Sequence, residues 1–314
     1  MGKKHRKEKK RKKFKFKGKQ EPEILNARWF RIAILTSVLL LAFAMRISNK
    51  GKMSMFRGDD EYWHLHIIKQ MTKLGHRPQI DKQAWFPEGR EMVHPPFFHY
   101  FIYYIWRFLS TFKEVEVFDV MFNIPPFIGI LGAISWFLLF KELYNDFFAG
   151  LIGAGVYAVF LPTIAPTVLG SCRPEALAEA IMPFGFWLLH LANKTRKWVL
   201  LPLPGLVFGV CALTWETSIY LYLPLVLLFL LSVLRVEKEE NAKWLVLLCL
   251  CTIAMAISIA LTWFLPIYLK YGLWRNTPTV SYTHLRAHET RHDLVCRLLL
   301  ENKKTRKISS KLRA

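Results

Sequence analysis

Seven stretches of the chain are long and apolar enough to cross a bilayer: residues 28–47, 118–140, 147–166, 175–192, 198–214, 216–234 and 244–268. A spanning helix takes about 20 mostly apolar residues, because the hydrocarbon offers no water to unpaired backbone groups. The sequence therefore predicts an all-α polytopic membrane protein in the cell membrane. A hydrophobic content of 53% can accompany a net charge of +21 only if the two are segregated, and they are. Residues 1–19 hold 12 Lys or Arg against one acid, and residues 280–314 hold nine against three. This pattern excludes a soluble enzyme, a disordered chain and a secreted disulfide scaffold. The five cysteines contain no C-x-x-C pair, so neither a disulfide framework nor a zinc site is expected.

Charge sets the expected topology. Residues 1–26 form a basic tail, which the positive-inside rule keeps cytoplasmic and which anionic membrane lipid attracts, with no call for nucleic acid. The run that follows has no small-residue cleavage site, so 27–48 reads as the first transmembrane helix. Phe97–Phe112 is short and aromatic and carries His99 and Arg107, which suits a helix lying at the interface. With that helix interfacial, the basic loops at Lys141, Lys194–Lys197 and Arg235–Lys243 all fall inside. Were it spanning, all three would flip outward. Residues 49–117 are thus a large outer loop, followed by six further spans over 118–279. Two polar patches, Arg57–Glu61 and Ser171–Glu175, emerge on the outer face and can meet there.

Those patches hold the candidate chemistry. Asp59, Asp60 and Glu61 run straight into Tyr62, Trp63, His64 and His66, an aromatic context that suggests packing near the membrane. Carboxylates are hard oxygen donors suited to Mg²⁺ or Mn²⁺, and such ions bridge phosphate groups. His64 and His66, two apart, face different ways on a helix, which argues against a zinc pair. Glu175 follows Pro174 at a helix start, where an acid also complements the helix dipole. Glu179 lies one turn inside a span, a costly place for an ionisable group. Glu216 and His190 read as interface residues.

Asp60-Glu61-Tyr62-Trp63-His64, then Trp85-Phe86-Pro87-Glu88-Gly89, then His94-Pro95-Pro96-Phe97 resemble the first outer loop of oligosaccharyltransferase catalytic subunits, the archaeal kind especially. Residues 123–143 and 149–162 look like that family's next two helices. The resemblance implies a GT-C-type helix bundle. It also implies transfer of a lipid-linked glycan, on dolichyl phosphate or pyrophosphate, to Asn of an Asn-x-Ser/Thr sequon in an acceptor polypeptide. By the same resemblance Asp60 is a catalytic carboxylate and ligand to Mn²⁺ or Mg²⁺, with Asp59 beside it. Gly170–Glu175 takes the place of the family's second acidic motif, but reads Arg173-Pro174-Glu175. Glu175 is then the second ligand, and Arg173 is free to pair with a phosphate. The departure keeps an alternative open, a GT-C transferase moving one sugar from a polyprenyl-phosphate donor to a hydroxyl acceptor with Asp60 as general base. A transporter would show inverted repeats and mid-membrane charges, and no repeat is visible.

From Val280 the text VSYTHLRAHET, Arg291-His292 and DLVCRLLLE resembles a translated sequencing adapter. Residues 280–314 are therefore expected to be read-through, Thr279 close to the last genuine residue, and the chain an inactive N-terminal fragment.

Overall fold

The computed structural model describes residues 28–48, 54–84, 89–218 and 239–271. The basic tail, Trp85–Glu88, most of the predicted 216–234 span and residues 280–314 lie outside these. The described part is almost wholly helical. Helix α1 (Arg28–Ile47) is followed by α2 (Asp59–Leu74), and then by a two-residue hairpin of β1 (Ile80–Asp81) and β2 (Arg90–Glu91). Its register pairs Ile80 with Glu91 and Asp81 with Arg90. Next come α3 (Phe97–Leu109), α4 (Val117–Asn123), α5 (Pro125–Tyr144), α6 (Phe147–Val159) and the single turn α7 (Leu161–Ile164). The bundle closes with α8 (Pro174–Thr195), α9 (Leu203–Thr214) and α10 (Glu239–Tyr271).

The ends of these helices follow from local chemistry. Helix α2 opens with three acids in its first turn, which complement the dipole, and stops at Gly75, a left-handed cap whose N–H reaches the Met71 carbonyl at 2.8 Å. Pro125 and Pro126 start α5, where a missing N–H costs nothing. Asp146 caps α6 by accepting from the Ala149 N–H at 2.8 Å.

Six of the seven predicted spans fall on described helices. Among the described residues, Arg28–Ile47, Val117–Tyr144 and Ala242–Lys270 are long and apolar enough to cross a membrane. The predicted 147–166 span is broken instead: Phe147–Val159 and Leu161–Thr167 meet at a 70° bend. Pro162 causes the break, because it has no N–H for the Ala158 carbonyl and cannot extend the helix. Arg46, fully buried at the end of α1, takes that carbonyl instead. The predicted interfacial stretch forms α3, as a separate short helix.

Helix α5 packs against both α6 and α8, α1 rests on α5 and α6, and α9 lies between α8 and α10. The outer-loop helices have a core of their own. Ile67, Ile68 and Met71 of α2, Phe98 and Ile102 of α3, and Met121 of α4 are buried together with Leu177 of α8. Each such side chain contributes about 1.5–3 kcal/mol on burial. That shared core holds the start of α2 against the start of α8.

Candidate active site

The turn before α8 is tied down at three points. The Leu169 N–H donates to the Arg46 carbonyl at 3.1 Å, the Gly170 N–H to Phe122 at 3.0 Å, and the Arg57 N–H to Gly170 at 3.1 Å. Gly170 has φ +76°, and a Cβ there would meet the Phe122 ring at 2.9 Å, so both its backbone and its contacts call for glycine. The effect is to lay Ser171–Glu175 alongside Met55–Asp60.

The two polar patches, far apart in sequence, therefore share one cavity of about 400 Å³. Asp59 and Asp60 form one side of it, Arg173 and Glu175 another, and Trp63, His64, His94, Trp215 and Glu216 are also in its wall. Asp60 is close enough to Glu175 and to Arg173 for their charges to interact. Asp60 and Glu175 thus meet as expected, with Asp59 next to them.

Arg173 does not simply point at open space. Its Nε donates to Glu61 Oε1 at 2.8 Å, and its Nη1 lies 3.6 Å from Glu175 Oε1. Burial alone would lower the pKa of this guanidinium, but the bond to Glu61 and the charges of Glu61, Glu175 and Asp60 outweigh it and raise it. Glu61 itself is fully buried. It falls on the same stripe of α2 as Leu65 and Ile68, whereas Asp59 and Asp60 are exposed. The three acids of the loop are therefore split between two environments. Helical periodicity was the signal that separates them, since Glu61, Leu65 and Ile68 recur at helical spacing.

Behind the carboxylates sits a histidine pair. His64 Nδ1 and His99 Nε2 share a hydrogen bond of 3.0 Å, both rings being buried. Burial, then the positive charges of His94, Arg77 and Arg173, push His64 down to about 3. Burial likewise drives His99 well below its ordinary value. Both are therefore neutral in the folded protein. His66 faces the other way, as its spacing predicted, with Nε2 3.1 Å from the buried Asp81 carboxylate. Gln70 Nε2 also donates to Asp81 at 2.8 Å, so this cluster ties the hairpin to α2 and stays out of the cavity.

Glu216, read from the sequence as an interface residue, is in the cavity wall, 3.6 Å from His94 Nδ1. The long loop between α1 and α4 folds back over the start of α8 and the end of α9, which linear reading of the spans does not reveal. Trp63 packs edge-on to His94 at 4.9 Å, and the Arg90 guanidinium lies 5.6 Å from the Trp63 ring.

Among the described residues, no group of three or more His, Cys, Asp or Glu is placed to hold a metal ion. The cavity offers two facing carboxylate positions, Asp60 and Glu175. Such a set does not suit zinc, which takes three or four protein ligands. It does suit Mg²⁺ or Mn²⁺, which are commonly held by one or two carboxylates, with water and substrate phosphate completing the shell.

The family described as Oligosaccharyl transferase STT3, N-terminal, matches residues 30–274. The chain is 29% identical over 192 residues to dolichyl-phosphooligosaccharide-protein glycotransferase 1 of Archaeoglobus fulgidus, covering 60% of this chain and 31% of that protein. It is 27% identical over 196 residues to the Pyrococcus furiosus protein of the same name, covering 59% of this chain and 20% of that one. The chain thus spans about a third or less of the length of these curated relatives. Its fold is similar to the A. fulgidus oligosaccharyltransferase AglB solved with an inhibitory peptide and a dolichol-phosphate. There the TM-score is 0.62 at 16% identity, over 88% of this chain and 38% of that one. A structure of the A. fulgidus enzyme with zinc and sulfate gives 0.60 at 17% identity, over 85% and 40%.

Proposed function

The chain belongs to the oligosaccharyl transferase STT3 family, and from that membership we propose that it forms the membrane-embedded, active-site-bearing part of an oligosaccharyltransferase. The reaction moves a glycan from dolichyl phosphate or pyrophosphate to the side-chain amide of Asn in an Asn-x-Ser/Thr sequon. The observation that carries this is the meeting of Asp60, Arg173 and Glu175 at one cavity, from segments more than a hundred residues apart. The named relatives, and the dolichol-phosphate and peptide bound by the A. fulgidus protein, support the substrate class.

The bundle is multi-pass, with its basic N-terminus cytoplasmic and the cavity on the outer face. The charges support that orientation. Lys141, Lys194, Arg196 and Lys197 gather at the far ends of α5 and α8, where Lys194 Nζ pairs with Glu142 at 2.6 Å. The carboxylates lie at the other end. Such an arrangement obeys the positive-inside rule.

Within the cavity Asp60 and Glu175 would hold Mn²⁺ or Mg²⁺, with Asp59 beside them. When bound, that ion supplies positive charge to the departing lipid phosphate and polarises the acceptor amide. The side chains do the rest. Arg173, charged and fixed on one side through Nε, offers its remaining N–H groups to phosphate oxygens. Asp60 orients the acceptor amide and accepts its proton as the bond from nitrogen to the sugar forms. The bond from the sugar to the lipid phosphate breaks, its electron pair leaving with the phosphate. The neutral His64–His99 pair adds no competing cation at the back of the cavity.

The test is acceptor choice by the full-length enzyme carrying this segment. With a dolichyl-linked donor and Mn²⁺, a sequon peptide is expected to be glycosylated, and Asp60→Ala to abolish it. Transfer to a hydroxyl or lipid acceptor, with the peptide untouched, would establish the single-sugar transferase instead.

A further inference from the structure

Arg173 stands among carboxylates that the proposed chemistry needs free. Left to itself, a guanidinium beside Asp60 and Glu175 would close on them, since bidentate pairing with a carboxylate is its strongest contact. Its short bond is to Glu61 instead. Glu61 Oε1 accepts from Arg173 Nε at 2.8 Å, whereas the contact to Glu175 is longer, Arg173 Nη1 lying 3.6 Å from Glu175 Oε1. Glu61 is fully buried, with Oε2 lacking any hydrogen-bond partner. A carboxylate so placed is a poor stabilising device, because its second oxygen has lost water and gained nothing. Its use is to fix the position of Arg173.

A second observation agrees. A Cβ on Gly58 would meet Arg173 Nη2 at 2.6 Å and Glu61 Oε2 at 2.7 Å. Gly58 has φ −136°, an extended conformation open to any residue. Backbone geometry therefore does not require glycine at 58. The space is required by the ion pair itself.

We propose that Glu61 is a positioning residue of the active site, holding Arg173 by Nε in the slot that Gly58 leaves open. With Nε so held and Nη2 beside Gly58, Nη1 stands at the cavity wall 3.6 Å from Glu175 Oε1, a looser contact than the bond to Glu61. Lysine at 173 could not do this, because one ammonium cannot serve Glu61 and the cavity from fixed separate donors. The role of Arg173 toward phosphate rests on the proposed function; its restraint by Glu61 and Gly58 does not.

Two substitutions attack the restraint by different means. Glu61→Gln removes the charge, and Gly58→Ala keeps every charge but pushes the guanidinium out of its slot. The first readout is labelling of Arg173 by phenylglyoxal in membranes, followed by peptide mass spectrometry, which needs no turnover. Both variants are expected to raise its labelling rate several-fold. The second is steady-state kinetics of the full-length enzyme. There, both variants are expected to raise KM for the lipid-linked donor about tenfold, with the peptide KM unchanged. Should Glu61→Gln fail to fold, Gly58→Ala carries the test. Unchanged Arg173 labelling in the folded variants overturns the proposal. So does an equal change in both KM values, which marks a general loss of structure. If the wild-type enzyme leaves sequon peptides untouched, the proposed function fails and labelling alone decides the role of Glu61.

Discussion

Two arginines flank the turn before α8, Arg46 bonded to it through Thr167 and Arg173 at its end, and they are handled in opposite ways. Arg46 has five N–H donors and uses all five. Nε donates to Thr167 Oγ1 at 2.7 Å, Nη1 to the carbonyls of Ala42 and Ala158 at 2.9 and 3.1 Å, and Nη2 to those of Tyr157 and Thr163 at 3.4 Å. No carboxylate pairs with it among the described residues. Arg173 is the reverse. It has a carboxylate on either side, only one short bond, and a third of its side chain exposed to a cavity. A cation whose donors are all spent within the fold, four on backbone carbonyls and one on a hydroxyl, is a structural cap, here for the break that Pro162 makes. One with donors to spare beside facing acids is equipped to meet a ligand.

The contrast is broken most severely at Arg46. Arg46→Leu leaves the Ala158 carbonyl, which Pro162 cannot serve, without a donor in an interior where an unmet group costs about 1–3 kcal/mol. The bonds to Thr167, Tyr157 and Thr163 are removed with it. The substitution also frees the bent segment that leads to the Leu169–Gly170 anchor. The expected result is a loss of about 3 kcal/mol or more, read as a collapse of folded yield and thermal midpoint in detergent. An unaltered midpoint would mean that Arg46 is not the cap.

Next in size is a loss of activity without a loss of fold. Asp60→Asn in the full-length enzyme is expected to lower kcat by about 10²–10³, on the scale of removing one group that stabilises developing charge. Its thermal midpoint should hardly move, because Asp60 is exposed and surface changes stay within about 0.5 kcal/mol. Asp59→Asn is expected to cost far less. Equal losses from the two would show that the acids act as a pair.

What could be read from the sequence divides along the same line. The apolar runs announce the helices because a 20-residue spacing of polar interruptions is a one-dimensional signal. The family resemblance singled out Asp60 and Glu175 because each sits in a short local motif. Local reading groups Glu61 with Asp59 and Asp60, although its spacing to Leu65 and Ile68 places it on the buried stripe. The partnership of Glu61 with Arg173, and the entry of Glu216 into the cavity, depend on the outer loop folding back over α8 and α9. No local pattern encodes that. Nor does composition reveal the 70° break in the third apolar run, since Pro162 in a span can kink a helix or end it, and only the donors of Arg46 decide which.

A milder effect should come from pH. His64 and His99 are neutral in the fold, His64 with its pKa down to about 3. In the unfolded chain each takes a proton near 6.5. The depressed value means that the unfolded state gains protons first as pH falls. The pair's contribution is therefore whole above about pH 6.5 and is lost steadily from there toward 3. The thermal midpoint is expected to fall between pH 7.5 and 5, and to fall less in His64→Gln/His99→Gln. Hydrogen bonds from Gln70, Gln83 and His66 outweigh burial and hold Asp81 below its ordinary value, so it titrates beneath that window and does not blur the comparison. Equal slopes in the two proteins would show that the histidines are already charged.

The smallest effect belongs at the opposite end of α8 from Arg173. Lys194 pairs with Glu142 at 2.6 Å, but its side chain is half exposed. Water and salt screen such a pair, and the entropy of holding a long side chain offsets most of its Coulomb energy, leaving about 0–1 kcal/mol. Lys194→Ala should therefore shift the thermal midpoint by a degree or two and leave the donor KM unchanged. This helix has 22 residues and is about 33 Å long, several Debye lengths at physiological salt. A charge removed at one end is then invisible at the other unless the helix itself moves. A raised donor KM in Lys194→Ala would mean that α8 shifts as a body, and that Arg173 is placed by the whole helix as well as by Glu61.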